Sequence, residues 1–230
     1  MRWCIQIAFF IAAPSVFSAA FGGIKYVAGQ LGLREAVEPT PFVVLLISAL
    51  LFTVLFGRFF CGYACAFGTL GDAVYALFAP IRKALSIPDS PMPEKVQRGL
   101  QFVKYGVFAA ICVLCFTGAW ASISGYSPWT AFAGIVAGSV DGIDVVAFVV
   151  LGIVVLGMAF VKRFFCQFLC PLGAVFALMP VVPFSQFSRR KSCCGKRCGK
   201  CHAGCPVGIY PDADSFAIGE CISCGKCSDV

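Results

Sequence analysis

Charge is scarce in this sequence. Eighteen Lys and Arg with 11 Asp and Glu make up 13% of 230 residues, while 60% are hydrophobic. A soluble domain is nearer a quarter charged, so the ordinary soluble classes are excluded at the outset. The mean hydropathy of +0.89 agrees. The net charge of +7 does not point to nucleic acid, because the basic residues gather at the ends of apolar runs, where they set membrane topology. Residues 126–141 contain no Lys or Arg at all, and His202 is the only histidine. Cysteine is the exception: there are 15, eight of them from Cys193 onward.

Residues 3–21, 42–60, 102–121 and 143–161 form four apolar stretches of 19 or 20 residues. At about 1.5 Å per residue each reaches roughly 29 Å, which matches a hydrocarbon core of about 30 Å. Lys104 and Asp144 fall near span ends, where a charged head reaches the interface. With the N-terminus in the cytoplasm, that side holds Arg2, Arg58, Arg82, Lys83, Lys95, Arg98, Lys104 and every base from Lys162 onward. The other side keeps Lys25 and Arg34. The positive-inside rule then places both termini in the cytoplasm of a bacterial inner membrane. A cleaved signal peptide ending at Ser18-Ala19-Ala20 is the rival reading, with an apolar run long for that role. It leaves the tail on the same side. The uncharged stretch 164–184 contains Pro171, Pro180 and Pro183 between basic flanks, which suits a segment that dips in or lies flat.

An internal repeat runs through this frame. Arg58-Phe59-Phe60-Cys61-Gly62-Tyr63-Ala64-Cys65-Ala66-Phe67-Gly68 returns 105 positions later as Arg163-Phe164-Phe165-Cys166-Gln167-Phe168-Leu169-Cys170-Pro171-Leu172-Gly173. Each copy follows an even-numbered span. The expected fold is therefore mainly α: four transmembrane helices as a duplicated two-helix unit, with a membrane-surface Cys-x3-Cys segment after each half. On a helix, residues four apart share a face, so Cys61 with Cys65, and Cys166 with Cys170, form pairs able to bind a cofactor, close on one metal centre or act as redox thiols. Buried cysteine as plain packing is the alternative. Cys112 and Cys115 have no counterpart in the fourth span and read as packing; Cys4 reads as structural or incidental.

The tail reads Cys194-x3-Cys198-x2-Cys201-x3-Cys205-Pro206, then Cys221-x2-Cys224-x2-Cys227. In the bacterial ferredoxin run, Cys-x2-Cys-x2-Cys-x3-Cys-Pro, the fourth cysteine ligates the other cluster. That crossover joins Cys205 to Cys221, Cys224 and Cys227 as one complete [4Fe–4S] site. Cys194, Cys198 and Cys201 begin a second site. Its fourth ligand is expected at position 231, beyond Val230, with Cys193 the nearby thiol. Cys198-x2-Cys201-His202 also fits haem attachment, which belongs to the far side of the membrane. Cys198/Cys201 with Cys221/Cys224 fit a zinc ribbon, but zinc leaves Cys205-Pro206 and Cys227 unexplained. Two domains follow: a transmembrane domain, 1–188, and a cytoplasmic ferredoxin-like module, 189–230.

With its two Arg-Phe-Phe-Cys-x3-Cys motifs, Cys205-Pro206, and Glu220-Cys221-Ile222-Ser223-Cys224-Gly225-Lys226-Cys227, the chain resembles the membrane-bound polyferredoxins of the NapH and NosR type. Ala66 stands where the second copy has Pro171. The resemblance covers nearly the whole chain and implies an electron-transfer component linking quinol, iron–sulfur clusters and a redox partner protein. Tyr126, Trp129, Asp141 and Asp144 are weak candidates for a quinone site, since they serve equally as interface anchors. Some relatives assist oxidase assembly and copper reduction, and soft thiolates at the paired motifs suit Cu(I). A redox-sensing regulatory component is the third class.

Overall fold

The computed structural model describes residues 2–14, 16–87, 94–179, 204–209 and 219–228, and among these all regular structure is helical. The first half comprises α1 (Arg2–Ala12), α2 (Val16–Leu33), α3 (Pro41–Phe56), a π turn over Phe60–Ala64, α4 (Ala66–Leu77) and α5 (Ala79–Ala84). The second comprises α6 (Glu94–Gln101), α7 (Val103–Phe116), α8 (Trp120–Ile123), α9 (Pro128–Ala137), α10 (Val145–Phe160), α11 (Phe164–Phe168) and α12 (Pro171–Leu178).

The stretch 3–21 is not one straight span. The chain breaks after Ala12 and bends by 64° between α1 and α2, because Pro14 lacks the N–H that a continuous helix needs. α1 turns onto the π turn and α4, and α2 runs on to Leu33. Among the described residues, one helical run, Val96–Phe116, is long and apolar enough to cross a membrane by itself. α3 and α10 have 16 residues each, about 24 Å at 1.5 Å per residue.

Both of these shorter helices are apolar on every side. Phe42, Val44, Ile47, Leu51 and Leu55 on α3 and Val145, Val149, Ile153 and Leu156 on α10 all face outward. Such a helix is stable when its surroundings are apolar too. Inside, α2 packs against α3 and α7, while α10 packs against α4 and α9. Glycine permits the closest approaches: a Cβ on Gly23 would lie 2.5 Å from the Phe42 carbonyl oxygen, and one on Gly32 would run into the Phe116 carbonyl. Helices that lack a solvent-driven reason to associate use such small-residue contacts.

An aromatic core marks the pseudo-two-fold centre. Phe165 stacks on Phe67 of α4 at 4.6 Å, and its repeat equivalent, Phe60, meets Phe176 of α12 at 5.9 Å. Each motif thus inserts its phenylalanine into the helix that follows the other motif.

Candidate cluster-binding site

The two Cys-x3-Cys segments leave their helices by different backbone routes and arrive at the same geometry. Gly57 takes φ 70° before the first motif, and Arg163 itself is left-handed at φ 53° in the second. Cys61 lies in the π turn and Cys166 in α11. Cys65 and Cys170 are extended residues at the N-caps of α4 and α12. The pairs therefore bridge a turn and a helix cap and do not share one helix face, as spacing alone suggests. At its cap, the Cys170 sulfur accepts from the Gly173 N–H at 3.2 Å, whereas Cys65 makes no side-chain cap bond. A helix N-terminus favours negative charge on such a sulfur. Ala66 and Pro171 both suit the first helical position, where no N–H is required.

All four thiols are buried at 4 or 5% exposure and belong to one core cluster. Burial pushes the thiols of Cys65, Cys166 and Cys170 up, and neighbouring thiols raise Cys65 and Cys170 further. Arg163 pulls Cys166 back towards ionisation, leaving it at about 11. These are inert thiols when free, and a bound metal centre would deprotonate them.

Two buried ion triads flank the thiols: one joins the two copies, and the other joins the first copy to the tail. Arg163 donates to the carbonyls of Cys61 and Gly62 and to both oxygens of Asp72, through Nε at 3.1 Å and Nη2 at 2.7 Å. Arg2 and Gln6 of α1 complete the Asp72 shell. On the other side Arg58 donates to Glu220 at 2.8 Å and to the Gly219 carbonyl at 3.2 Å. Lys104 binds the same carboxylate. Lys104 is thus fully buried and does not reach for the interface. Burial pushes the Glu220 carboxyl up, but Arg58 and Lys104 outweigh it and hold it below the usual range. Asp72 is held down in the same way by Arg163 and Arg2 against its burial.

The tail rests on both motifs. Cys205, Cys221, Cys224 and Cys227 are all half-buried, and Cys205 and Cys224 pack against the core cluster. Burial raises Cys221 to about 11 and also raises Cys205, whose carbonyl accepts from the Gly208 N–H at 3.2 Å. Ser223 and Gly225 adopt positive φ, a conformation used by backbone turns that gather N–H groups around an anion. The tail's cysteine spacing suits an iron–sulfur cluster, whose sulfur atoms accept bonds from such groups. Among the described residues, no three His, Cys, Asp or Glu converge tightly enough to share a single metal ion. Cys193, Cys194, Cys198, Cys201 and His202 lie outside the described residues.

Contacts fix the tail's position. A Cβ on Gly62 would lie 2.5 Å from the Ile222 carbonyl oxygen. Tyr63 donates to the Cys224 carbonyl at 3.3 Å. Gln167, the repeat equivalent of Gly62, donates to the Pro206 carbonyl at 3.1 Å, and Gln97 donates to that of Val207 at 3.0 Å. Gln167 and Glu220 stand inside the repeated motif and the tail motif without a role that spacing assigns them, and Asp72 and Gln97 lie outside both motifs, marked in the sequence by their polarity alone. Cys115 is core and Cys112 half-buried, in keeping with packing, while Cys4 is exposed. Trp129 packs inward on Phe21 and Phe165, Asp144 caps α10 by accepting from Val146, and Tyr126 and Asp141 are exposed.

Comparison with known proteins places the same segments. The family described as a 4Fe-4S binding domain matches residues 39–88 and 143–191, one match on each repeat. Protein NirI of Paracoccus denitrificans is 30% identical over 193 residues, which is 83% of this chain and 27% of NirI. Ferredoxin-type protein NapH of Haemophilus influenzae is 25% identical over 218 residues, covering 88% of this chain and 69% of NapH. Putative electron transport protein YccM of Escherichia coli is 24% identical over 243 residues, 94% of this chain and 63% of YccM. The chain therefore spans about a quarter of NirI's length and about two thirds of the other two. No solved structure matches. The chain carries a 4Fe-4S binding domain in each repeat and is a distant homologue of the NapH-type polyferredoxins.

Proposed function

We propose that this chain is a membrane-embedded electron carrier that links the quinone pool to a redox partner protein through iron–sulfur centres. One observation carries the reading: Cys61, Cys65, Cys166 and Cys170 are buried in one core cluster, and the tail that bears Cys205, Cys221, Cys224 and Cys227 rests on it. Cys205 and Cys224 pack against that cluster, and Ile222 lies over Gly62 beside Cys61. Thiolate-held clusters supply single-electron transfer at potentials tuned by burial and by hydrogen bonds to sulfur. The chain's own part is to hold the tail thiols against the buried ones and to keep water from both.

The four-span topology, with both termini and the 189–230 module in the cytoplasm, belongs to this reading. Its support is the basic bias of the sequence and the outward apolar faces of α3 and α10. A groove of about 510 Å³ lined by Ile24, Leu31, Leu46, Phe108, Cys112 and Phe116 opens between α2, α3 and α7. Its apolar walls suit an isoprenoid tail. Relatives named as ferredoxin-type and electron transport proteins support the cargo.

The test is anaerobic purification with iron and acid-labile sulfide analysis, followed by addition of a quinol analogue. The reading expects both iron and sulfide, with cluster bleaching on quinol. Copper at the buried thiols with no quinol response would favour metal reduction, and zinc or no metal would end the cluster reading.

A further inference from the structure

The two halves of the bundle are not equally equipped. Along the 105-residue offset Arg58 pairs with Arg163, Gly68 with Gly173, and Asp72 with Ala177. Each arginine crosses to the other half and passes over the glycine there. A Cβ on Gly68 would lie 3.3 Å from a guanidinium nitrogen of Arg163, and one on Gly173 would lie 3.0 Å from one of Arg58. Beyond Gly68, Arg163 meets Asp72. Beyond Gly173, one helical turn on, α12 carries Ala177, which offers no carboxylate.

The missing carboxylate is supplied from the tail. Gly219 sits so close to α12 that a Cβ on it would stand 2.7 Å from the Ala177 carbonyl oxygen. From there Glu220 accepts from Arg58 at 2.8 Å and also meets Lys104. The second cations correspond as well: Arg2 on Asp72, Lys104 on Glu220. We propose that Glu220 takes the place of the carboxylate absent at Ala177, so that Arg58 is the seat that holds the cysteine tail on the second repeat.

The substitute bond is less complete than the original. Arg163 engages Asp72 through Nε and Nη2, a two-pronged fork, whereas Arg58 reaches Glu220 through Nη1 and its buried Nε has no partner among the described residues. Forked arginine–carboxylate pairs are the stronger ones. An aspartate placed at 177 would therefore compete with Glu220 for Arg58 from a fixed point on α12. A vacant Arg58 is in turn costly, because a buried guanidinium without a carboxylate has lost its compensation. The tail docks where the bundle needs a negative charge, and the Glu220 carboxylate offsets part of the positive charge that Arg58 and Lys104 bury there. On the electron-carrier reading above, this seat sets the separation of the two thiol sets, but the docking itself assumes no cargo.

Hydrogen exchange on the full chain in lipid nanodiscs, purified anaerobically, tests it. Ala177→Asp and Glu220→Gln should each speed exchange of the segment 219–228 by about tenfold or more, through local opening. Segment 61–77 should stay protected in Ala177→Asp. The double variant should also keep 61–77 protected with a released tail, and Glu220→Asp should restore part of the protection. Unchanged tail exchange in Ala177→Asp, or a tail still held in the double variant, overturns the proposal. The outcome is independent of whether quinol reduces the clusters.

Discussion

Arg163 and Asp72 stand 91 residues apart in the chain and meet as a buried fork, Nη2 to Oδ2 at 2.7 Å and Nε to Oδ1 at 3.1 Å. The same guanidinium holds the Cys61 carbonyl, so one residue of the second repeat fixes the backbone of the first repeat's thiol pair.

Removing Asp72 leaves this charge uncompensated. Asp72→Asn should lose about 3–5 kcal/mol of stability, the usual effect of breaking a buried pair from one side. Denaturant unfolding in detergent measures it. Arg163→Lys should also destabilise, since an ammonium cannot reproduce the fork.

Asp72 also makes a pH prediction. Burial raises its carboxyl, but Arg163 and Arg2 more than offset this, so its pKa in the folded state lies below the ordinary value. The unfolded chain then binds a proton more readily than the folded one. This stabilisation is complete above the unfolded value of about 3.9 and fades as pH falls through the lower folded value. The wild type should lose stability more steeply than Asp72→Asn below about pH 4. Parallel curves would contradict the ion pair.

Gly62→Ala places a methyl group 2.5 Å from the Ile222 carbonyl oxygen. The tail loop must lift. Alkylation of Cys224 by a maleimide in metal-free protein should quicken several-fold, with Cys61 still slow as the internal control. Equal rates in both proteins would mean that the loop does not rest on Gly62.

Cys61→Ser and Cys166→Ser should stop quinol-linked cluster reduction while leaving the tail cluster reducible by dithionite. Reduction by quinol at the normal rate would make the buried pairs structural.

Two glycines on α2 should part company. Gly32→Ala drives a methyl group into the Phe116 carbonyl, an overpacking expected to cost about 1–3 kcal/mol. At Gly29 the nearest atom to a Cβ is the Cys115 carbonyl oxygen at 4.0 Å, so Gly29→Ala should be neutral or stabilising by up to about 1 kcal/mol through helix propensity. Thermal unfolding of the two variants side by side decides it.

What the sequence by itself determined is local and periodic: the apolar runs, the duplicated Arg-Phe-Phe-Cys-x3-Cys motif, the basic bias and the cysteine spacing of the tail. Hydropathy and ligand spacing act over a few residues, so these features are legible without knowing what packs against what. Only the tertiary structure decided that Pro14 turns α1 onto the motif, that Lys104 is buried, and that Arg163 serves the opposite copy while Arg58 serves the tail. It also decided that Glu220 completes a charge pattern begun at Ala177. Those partners lie 91 to 162 residues apart, and a buried charge finds its counterion through the packing of helices, which no short window of sequence encodes.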